Sequence, residues 1–336
     1  MSYLSNLIDA VLPKLGESAP ALNAAINDFR TAITDTLDKL SNDNNLRIYD
    51  DKHGGVVRGP WQSRQRGHRE DQNGVLLCDI TKFNNCHEVS YFRAVFNLPH
   101  HSFNITTKTE VRTEVRTEVR LIGYESPLMR KVTNLRNIDF ISRTVACDLI
   151  GLTSDNQVLC IEGKVKPHRP NTDIVYGLLE SFAYGVCIEY FLAEENRQAE
   201  FKKEVQACLN EFHPNTNGFN KGKLTAAFTL AAPREYFAQY FEPTHPMTEG
   251  KAKKRLSEAG QLLTAFEKIK RHDWAWAGFM IMEKPCTGSS FDKQNERTYK
   301  EKTKEKTYVG PHFKSEPFKV DLAWDISELK DNLIGT

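Results

Sequence analysis

The stretch D-L-I-G-L-T-S-D-N-Q-V-L-C-I-E-G-K, Asp148 to Lys164, decides how the chain is read. Val145, Leu149, Ile150 and Leu152 lead into it, and Val158, Leu159, Ile161 and Val165 lead out, so both flanks are strand-like. Ser154-Asp155-Asn156 between them are residues whose short side chains bond nearby backbone and tolerate left-handed geometry. The pattern predicts a β-hairpin. With a three-residue loop, Thr153 faces Gln157, Ile150 faces Cys160 and Asp148 faces Glu162. Lys164 lies two residues beyond Glu162 and points to the same side. A two-residue loop would slip the register and put Asp148 and Glu162 on opposite faces.

In the first register, two carboxylates and an ammonium meet on a hairpin otherwise built of Ile, Leu, Val and Cys. Opposed like charges repel and need a compensating cation. Mg²⁺ (or Mn²⁺) is the natural one, a hard ion held by one or two carboxylates, waters and substrate phosphate oxygens. The lysine would then orient or deprotonate a water and stabilise charge developing on a phosphate. The bland alternative is a surface strand with solvated ion pairs. The apolar setting and the flanking Lys166, His168 and Arg169, suited to phosphates, weigh against it.

Asp148 followed by Glu162-Gly163-Lys164 resembles the D…(D/E)-x-K signature of the PD-(D/E)XK nuclease superfamily, with Cys147 where the name-giving proline would stand. The resemblance implies an α/β, restriction-endonuclease-like α-β-β-β-α-β core with a mixed central sheet over about residues 85–235. It also implies Asp148 and Glu162 as metal ligands and Lys164 as the catalytic lysine. In this family the first core helix often adds a carboxylate. Glu88, in the helix expected from Cys86 to Leu98, and Glu125, before a helix start at Ser126-Pro127, both qualify. A stabilising charge at a helix N-terminus is the plainer reading of either.

Beyond the hairpin, Thr172 is placed to cap a helix running from Asp173 to Leu192 that is apolar almost all round. Tyr176, Glu180 and Tyr184 form its one polar stripe, and a carboxylate in so apolar a helix is costly unless bonded or facing a charged site. Glu180-x-x-x-Tyr184 resembles the Q-x-x-x-Y motif of the exonuclease-type branch, with Glu for Gln. That implies a supporting role at the site, against a plain reading as a polar edge bordering solvent.

Elsewhere the signals are mostly architectural. Leu4, Leu7, Ile8, Val11, Leu12 and Leu15, then Leu22, Ile26, Phe29, Ile33, Leu37 and Leu40, predict a helical hairpin over residues 1–45. It either packs on the catalytic domain, residues 46–336, or pairs with a second subunit as a homodimer. Residues 41–73 are polar, and Trp61 among Arg58, Arg64, Arg66 and Arg69 suits a nucleic-acid contact as well as it suits a solvated loop. The repeat T-E-V-R-T-E-V-R-T-E-V-R within Lys108–Arg120 would stack like charges as a helix, so one long strand is expected. Strands are expected at Val75–Ile80, Leu224–Ala232, Trp274–Met282 and Phe318–Ile326, and helices at Arg234–Phe241 and Lys251–Arg271. The basic opening of the latter, Lys251 to Arg255, reads as a solvated face or a phosphate contact. Residues 287–311 are polar and suit a mobile loop or an exposed hairpin.

A formal net charge of +1 excludes a strongly basic nucleic-acid coat. Seven cysteines without a C-x-x-C suit reduced core thiols in a cytoplasm better than disulfides or zinc. No signal peptide or apolar run long enough to span a membrane is expected. No Rossmann, zinc-protease or serine-hydrolase motif occurs. The expected function is a metal-dependent nuclease acting on DNA; the alternative is a catalytically inactive nuclease-like module that binds nucleic acid or protein.

Overall fold

The computed structural model describes residues 3–42, 69–70, 75–108, 114–129, 145–166, 172–214, 223–243, 247–269, 278–301, 304–314 and 318–334. Arg64 and Arg66, with Trp61, and His168 and Arg169, lie outside them.

In chain order the elements are α1 (Tyr3–Val11), α2 (Ala19–Asn42), β1 (Arg69–Glu70), β2 (Leu76–Asp79), α3 (Ile80–Asn84), α4 (Glu88–Phe96), β3 (Ser102–Lys108), β4 (Glu114–Met129), β5 (Val145–Thr153) and β6 (Gln157–Gly163). There follow α5 (Ile174–Ala193), α6 (Glu195–Phe212), β7 (Thr225–Pro233), α7 (Arg234–Phe241), α8 (Glu249–Ile269), β8 (Phe279–Met282), β9 (Phe291–Glu301), β10 (Lys304–Phe313), β11 (Lys319–Ala323) and α9 (Ile326–Ile334).

The sheet corrects the expected architecture. A restriction-endonuclease-like core has an open central sheet, whereas here seven strands close into a mixed barrel, β11-β3-β4-β5-β6-β7-β8. The closure is the work of β11. Val320 pairs with Ile105 of β3 in parallel and with Met282 of β8 in antiparallel sense, joining both sheet edges. No local sequence signal specifies such a pairing, because β11 reads as an ordinary short strand and its partners lie far away in the chain. A second sheet, β1-β2-β10-β9, stands beside the barrel.

The strands alternate cleanly between two cores. Along β6, Val158 and Cys160 join one cluster while Leu159 and Ile161 join the other. Every barrel strand contributes to the second cluster, from Phe103 and Ile105 in β3 to Val320 and Leu322 in β11, which marks it as the inner face. Tyr91, Phe92, Val95 and Phe96 of α4 pack into that cluster. The other face lies under α5, α2 and α8. The N-terminal helices share this outer core through Leu4, Ile8, Ile26, Phe29 and Ile33. Tyr176 of α5 donates from its hydroxyl to Ser5 Oγ at 2.8 Å. Helix α5, with mean hydropathy high enough to resemble a membrane span, is a core helix in this fold, since nearly all of it is buried.

The described part of the T-E-V-R repeat, Glu114–Arg120, is strand, forming the start of β4 and pairing antiparallel with β3 from Lys108↔Glu114 to Ser102↔Arg120, and residues 109–113 lie outside the described residues. Three further local expectations are corrected. Ser126 and Pro127 continue β4 rather than opening a helix. Asp173, not Thr172, caps α5, its carboxylate accepting from the Tyr176 N–H at 2.9 Å. The chain's final strand is shorter than read, and Ile326 begins a helix.

Candidate active site

The β5–β6 hairpin has the three-residue-loop register. Ile150 pairs with Cys160 and Leu149 with Ile161. Asn156 takes a left-handed φ of 63°, which asparagine tolerates well. Beyond the Leu149–Ile161 pair, the Gly163 N–H donates to Asp148 Oδ2 at 2.9 Å, tying the aspartate to the neighbouring strand's end. Lys164 continues the line, its N–H donating to the Ala231 carbonyl of β7 at 2.9 Å.

Three side chains named from the sequence then converge. Lys164 Nζ donates to Glu162 Oε1 at 2.5 Å and to Glu180 Oε2 at 2.8 Å. Glu162 and Lys164 are only 4% and 5% exposed, so these charges act in a poorly screened setting. Glu180 comes from α5, and Tyr184, one turn later and buried, lies in the same field: burial first, then Glu162, Glu180 and Asp148, pushes its hydroxyl pKa well up.

Helix α4 brings a fourth carboxylate. Glu88 accepts from the Val165 N–H and feels both Lys164 and Glu180; burial pushes its pKa up. Glu125 lies in β4 and occupies the ladder step between Tyr124↔Leu149 and Ser126↔Cys147, opposite Asp148. Of the two carboxylates weighed from the sequence, Glu88 is placed among the charges around Lys164, while Glu125 holds the ladder position opposite Asp148.

One lysine thus faces Asp148, Glu162, Glu180 and Glu88. Burial alone would lower the Lys164 pKa, but those four carboxylates outweigh it and hold the ammonium well above its ordinary value. Glu162 moves up too, because burial and the neighbouring Asp148 outweigh the pull of Lys164. These directions describe one charge cluster with more anions than its cation can balance. Held as an ammonium among these carboxylates, Lys164 is suited to orient a water and to stabilise negative charge.

Gly163, between the paired residues, has a steric purpose that the motif alone did not reveal. A Cβ at Gly163 would lie 2.1 Å from Cε2 of the buried Phe92 ring. The aromatic ring of α4 therefore packs directly on the backbone that links Glu162 to Lys164. The apolar run Tyr91-Phe92 beside Glu88 was the available signal.

A cavity of about 380 Å³ borders the cluster, lined by Asn85, Cys86, His87, Glu88, Val165, Lys166 and Thr172. Lys166 is exposed on its wall. Larger grooves of about 540 and 450 Å³ run along α8 and share no residue with the cluster.

Among the described residues, no three His, Cys, Asp or Glu side chains stand close enough to hold a metal by themselves. The donors Asp148 and Glu162 instead suit Mg²⁺ or Mn²⁺, which need only one or two carboxylates when waters and phosphate oxygens complete the shell. The surplus of negative charge around Glu162 fits a divalent cation. Comparison of the chain with known families, characterised proteins and solved structures finds no match.

Proposed function

We propose that the protein is a metal-dependent nuclease that hydrolyses phosphodiester bonds in DNA. The observation that carries this reading is the buried, anion-rich cluster at the β5–β6 strand ends, where Lys164 bridges Glu162 and Glu180 beside Asp148. Its D…E-x-K pattern resembles that of PD-(D/E)XK nucleases at the level of the motif, while the closed barrel sets the fold apart.

Asp148 and Glu162 would hold the metal, which when bound supplies an activated water and polarises the scissile phosphate. The remaining work falls to the chain. The Lys164 ammonium faces the charge that grows on the phosphate oxygens as water attacks phosphorus and the bond to the leaving oxygen breaks. Glu180 and Glu162 fix that ammonium in place. Glu88 sets a further negative wall at the cavity mouth, and Lys166 offers a cation to the phosphate backbone. Tyr184, held neutral, supports the Glu180 stripe from within the core.

The test is a cleavage assay on supercoiled plasmid, linear duplex and single-stranded DNA with Mg²⁺ or Mn²⁺, alongside Asp148→Asn. Asparagine keeps an acceptor for the Gly163 N–H, so folding survives. Metal-dependent cutting by the wild type and its loss in the variant are expected. Equal cutting by both would sink the site assignment.

One observation favours a second reading. Lys164 already makes two short ion pairs, as in a module that uses the cluster to lock the hairpin to α5 and binds without cutting. Salt-sensitive binding with no cleavage of any of the three substrates would select it.

A further inference from the structure

In the second sheet, β2 pairs with β10 only at Tyr308↔Asp79 and Val309↔Cys78. The β9–β10 ladder runs on past that point through Thr307↔Thr298, Lys306↔Tyr299, Glu305↔Lys300 and Lys304↔Glu301, with no third strand beside it among the described residues. Four pairs at about 3.4 Å per residue make an arm of roughly 14 Å. A two-stranded ribbon standing clear of its sheet is marginal by itself. Its root, however, is firm. Phe291 and Phe313 pack edge-on against Tyr91 with ring centroids 6.0 and 5.4 Å away, and the Tyr91 hydroxyl donates to the Lys284 carbonyl at 2.7 Å. Tyr91 lies one helical turn from Glu88, so the arm is rooted on the helix that delivers a carboxylate to the candidate site.

The ladder also sorts the arm's charges. Arg297, Tyr299, Lys306 and Tyr308 share one face, and the two tyrosine rings meet edge-on at 5.7 Å. Positions Glu301 and Lys304 continue that face and Asp79, paired with Tyr308, borders it at the root, giving it three cations to two anions in sequence. The opposite face sets Lys300 against Glu305 and pairs the Thr298 and Thr307 hydroxyls at 3.2 Å, with no excess of either sign. In a chain of net charge +1, this is a local segregation of cations around an aromatic pair. A bulge at Asn295, with φ 54°, breaks the register between Tyr308 and Gly310 and adds twist to the arm.

Resting on the nuclease reading of the site, we propose that the tyrosine face of the β9–β10 arm grips the substrate as duplex DNA. A two-stranded ribbon fits the major groove, about 12 Å wide. Arg297 and Lys306 meet phosphates, and tyrosine hydroxyls bond phosphate oxygens. The tyrosines pack on each other, so stacking bases between them would break a formed contact. That favours a duplex over a single strand.

The test compares wild type with Arg297→Glu/Lys306→Glu and with an equally charge-reversed control, Lys300→Glu/Lys268→Glu, on other surfaces. Binding of a short fluorescent duplex is followed by anisotropy across a salt series in chelator, so binding is read without cutting. The ribbon variant should bind about tenfold more weakly or worse, with a log K against log salt slope shallower by about two. The control should stay within about twofold, as exposed charges outside the contact contribute little. Thermal melts verify that all three fold. Equal binding by wild type and ribbon variant, preference for a single strand, or no duplex binding by wild type overturns the proposal. The two readings fail separately. If the ribbon variant binds normally while Asp148→Asn alone loses cutting, the arm falls and the nuclease stands. If duplex binding depends on the ribbon but wild type never cuts, the nuclease falls and the arm stands.

Discussion

The two hairpins β5–β6 and β9–β10 use one backbone plan for opposite purposes. Both carry Lys and Glu along their ladders. In β5–β6 both faces are covered, by the inner core on one side and α5 on the other, so its charges at Glu162 and Lys164 are almost sealed. In β9–β10 most of the side chains beyond the aromatic root are exposed. Burial decides what a charge is worth: screened in water, a pair contributes a fraction of a kcal/mol, while in the interior the same pair governs protonation, stability and chemistry. The buried hairpin is therefore where chemistry is expected and the exposed one where recognition is expected.

The largest expected break in this comparison is Lys164→Ala. Removing the cation leaves Glu162 and Glu180 without their 2.5 and 2.8 Å partner, a loss of about 3–5 kcal/mol by the usual cost of orphaning a buried charge. Denaturant unfolding in chelator measures it, and a change below about 1 kcal/mol would mean the cluster is far better solvated than its burial implies.

Gly163→Ala comes next. Its Cβ would meet Phe92 Cε2 at 2.1 Å, and overpacking of this kind costs about 1–3 kcal/mol. The same unfolding assay reads it, and cleavage should drop as well because the Glu162–Lys164 geometry shifts.

A pH dependence follows from the surplus charge. Glu162 and Glu88 keep protons in the folded chain above the ordinary carboxylate value of 4.5, where the unfolded chain has already released them. The folded state binds more protons in that window, so stability in chelator falls as pH rises through it, by up to about 1.4 kcal/mol per pH unit for each proton involved. Glu162→Gln should flatten the slope. A slope of the opposite sign would mean that Lys164 overcompensates the carboxylates.

The smallest effect belongs to the exposed hairpin. Lys293 pairs with Glu296 at 2.8 Å, both half exposed, and Lys293→Ala should change stability by less than about 0.5 kcal/mol. A loss of several kcal/mol would erase the contrast between the two hairpins.

How much of this was legible follows the same division between local and distant information. The β5–β6 register could be read because Ser154-Asp155-Asn156 announce the turn and apolar residues flank it on both sides. Glu180 and Tyr184 stood out because they interrupt an apolar helix. Barrel closure could not be read, since it depends on β11 finding β3 and β8, and nothing in Lys319–Ala323 encodes its partners. The repeat was legible where it is described, because period-two patterning predicts a strand and Glu114–Arg120 form one in β4. The place of Glu88 beside Lys164 could not be read, because a helix N-terminus attracts acidic residues whether or not they serve a site.

The central claim is that the Asp148–Glu162 pair is prepared for a divalent cation. Its most direct test is a thermal melt of wild type and Asp148→Asn across a titration of Mg²⁺ or Mn²⁺ at neutral pH. A metal-dependent rise in the wild-type midpoint that is absent in Asp148→Asn is the predicted result. Identical midpoints with and without metal in the wild type, at saturating cation, would contradict it.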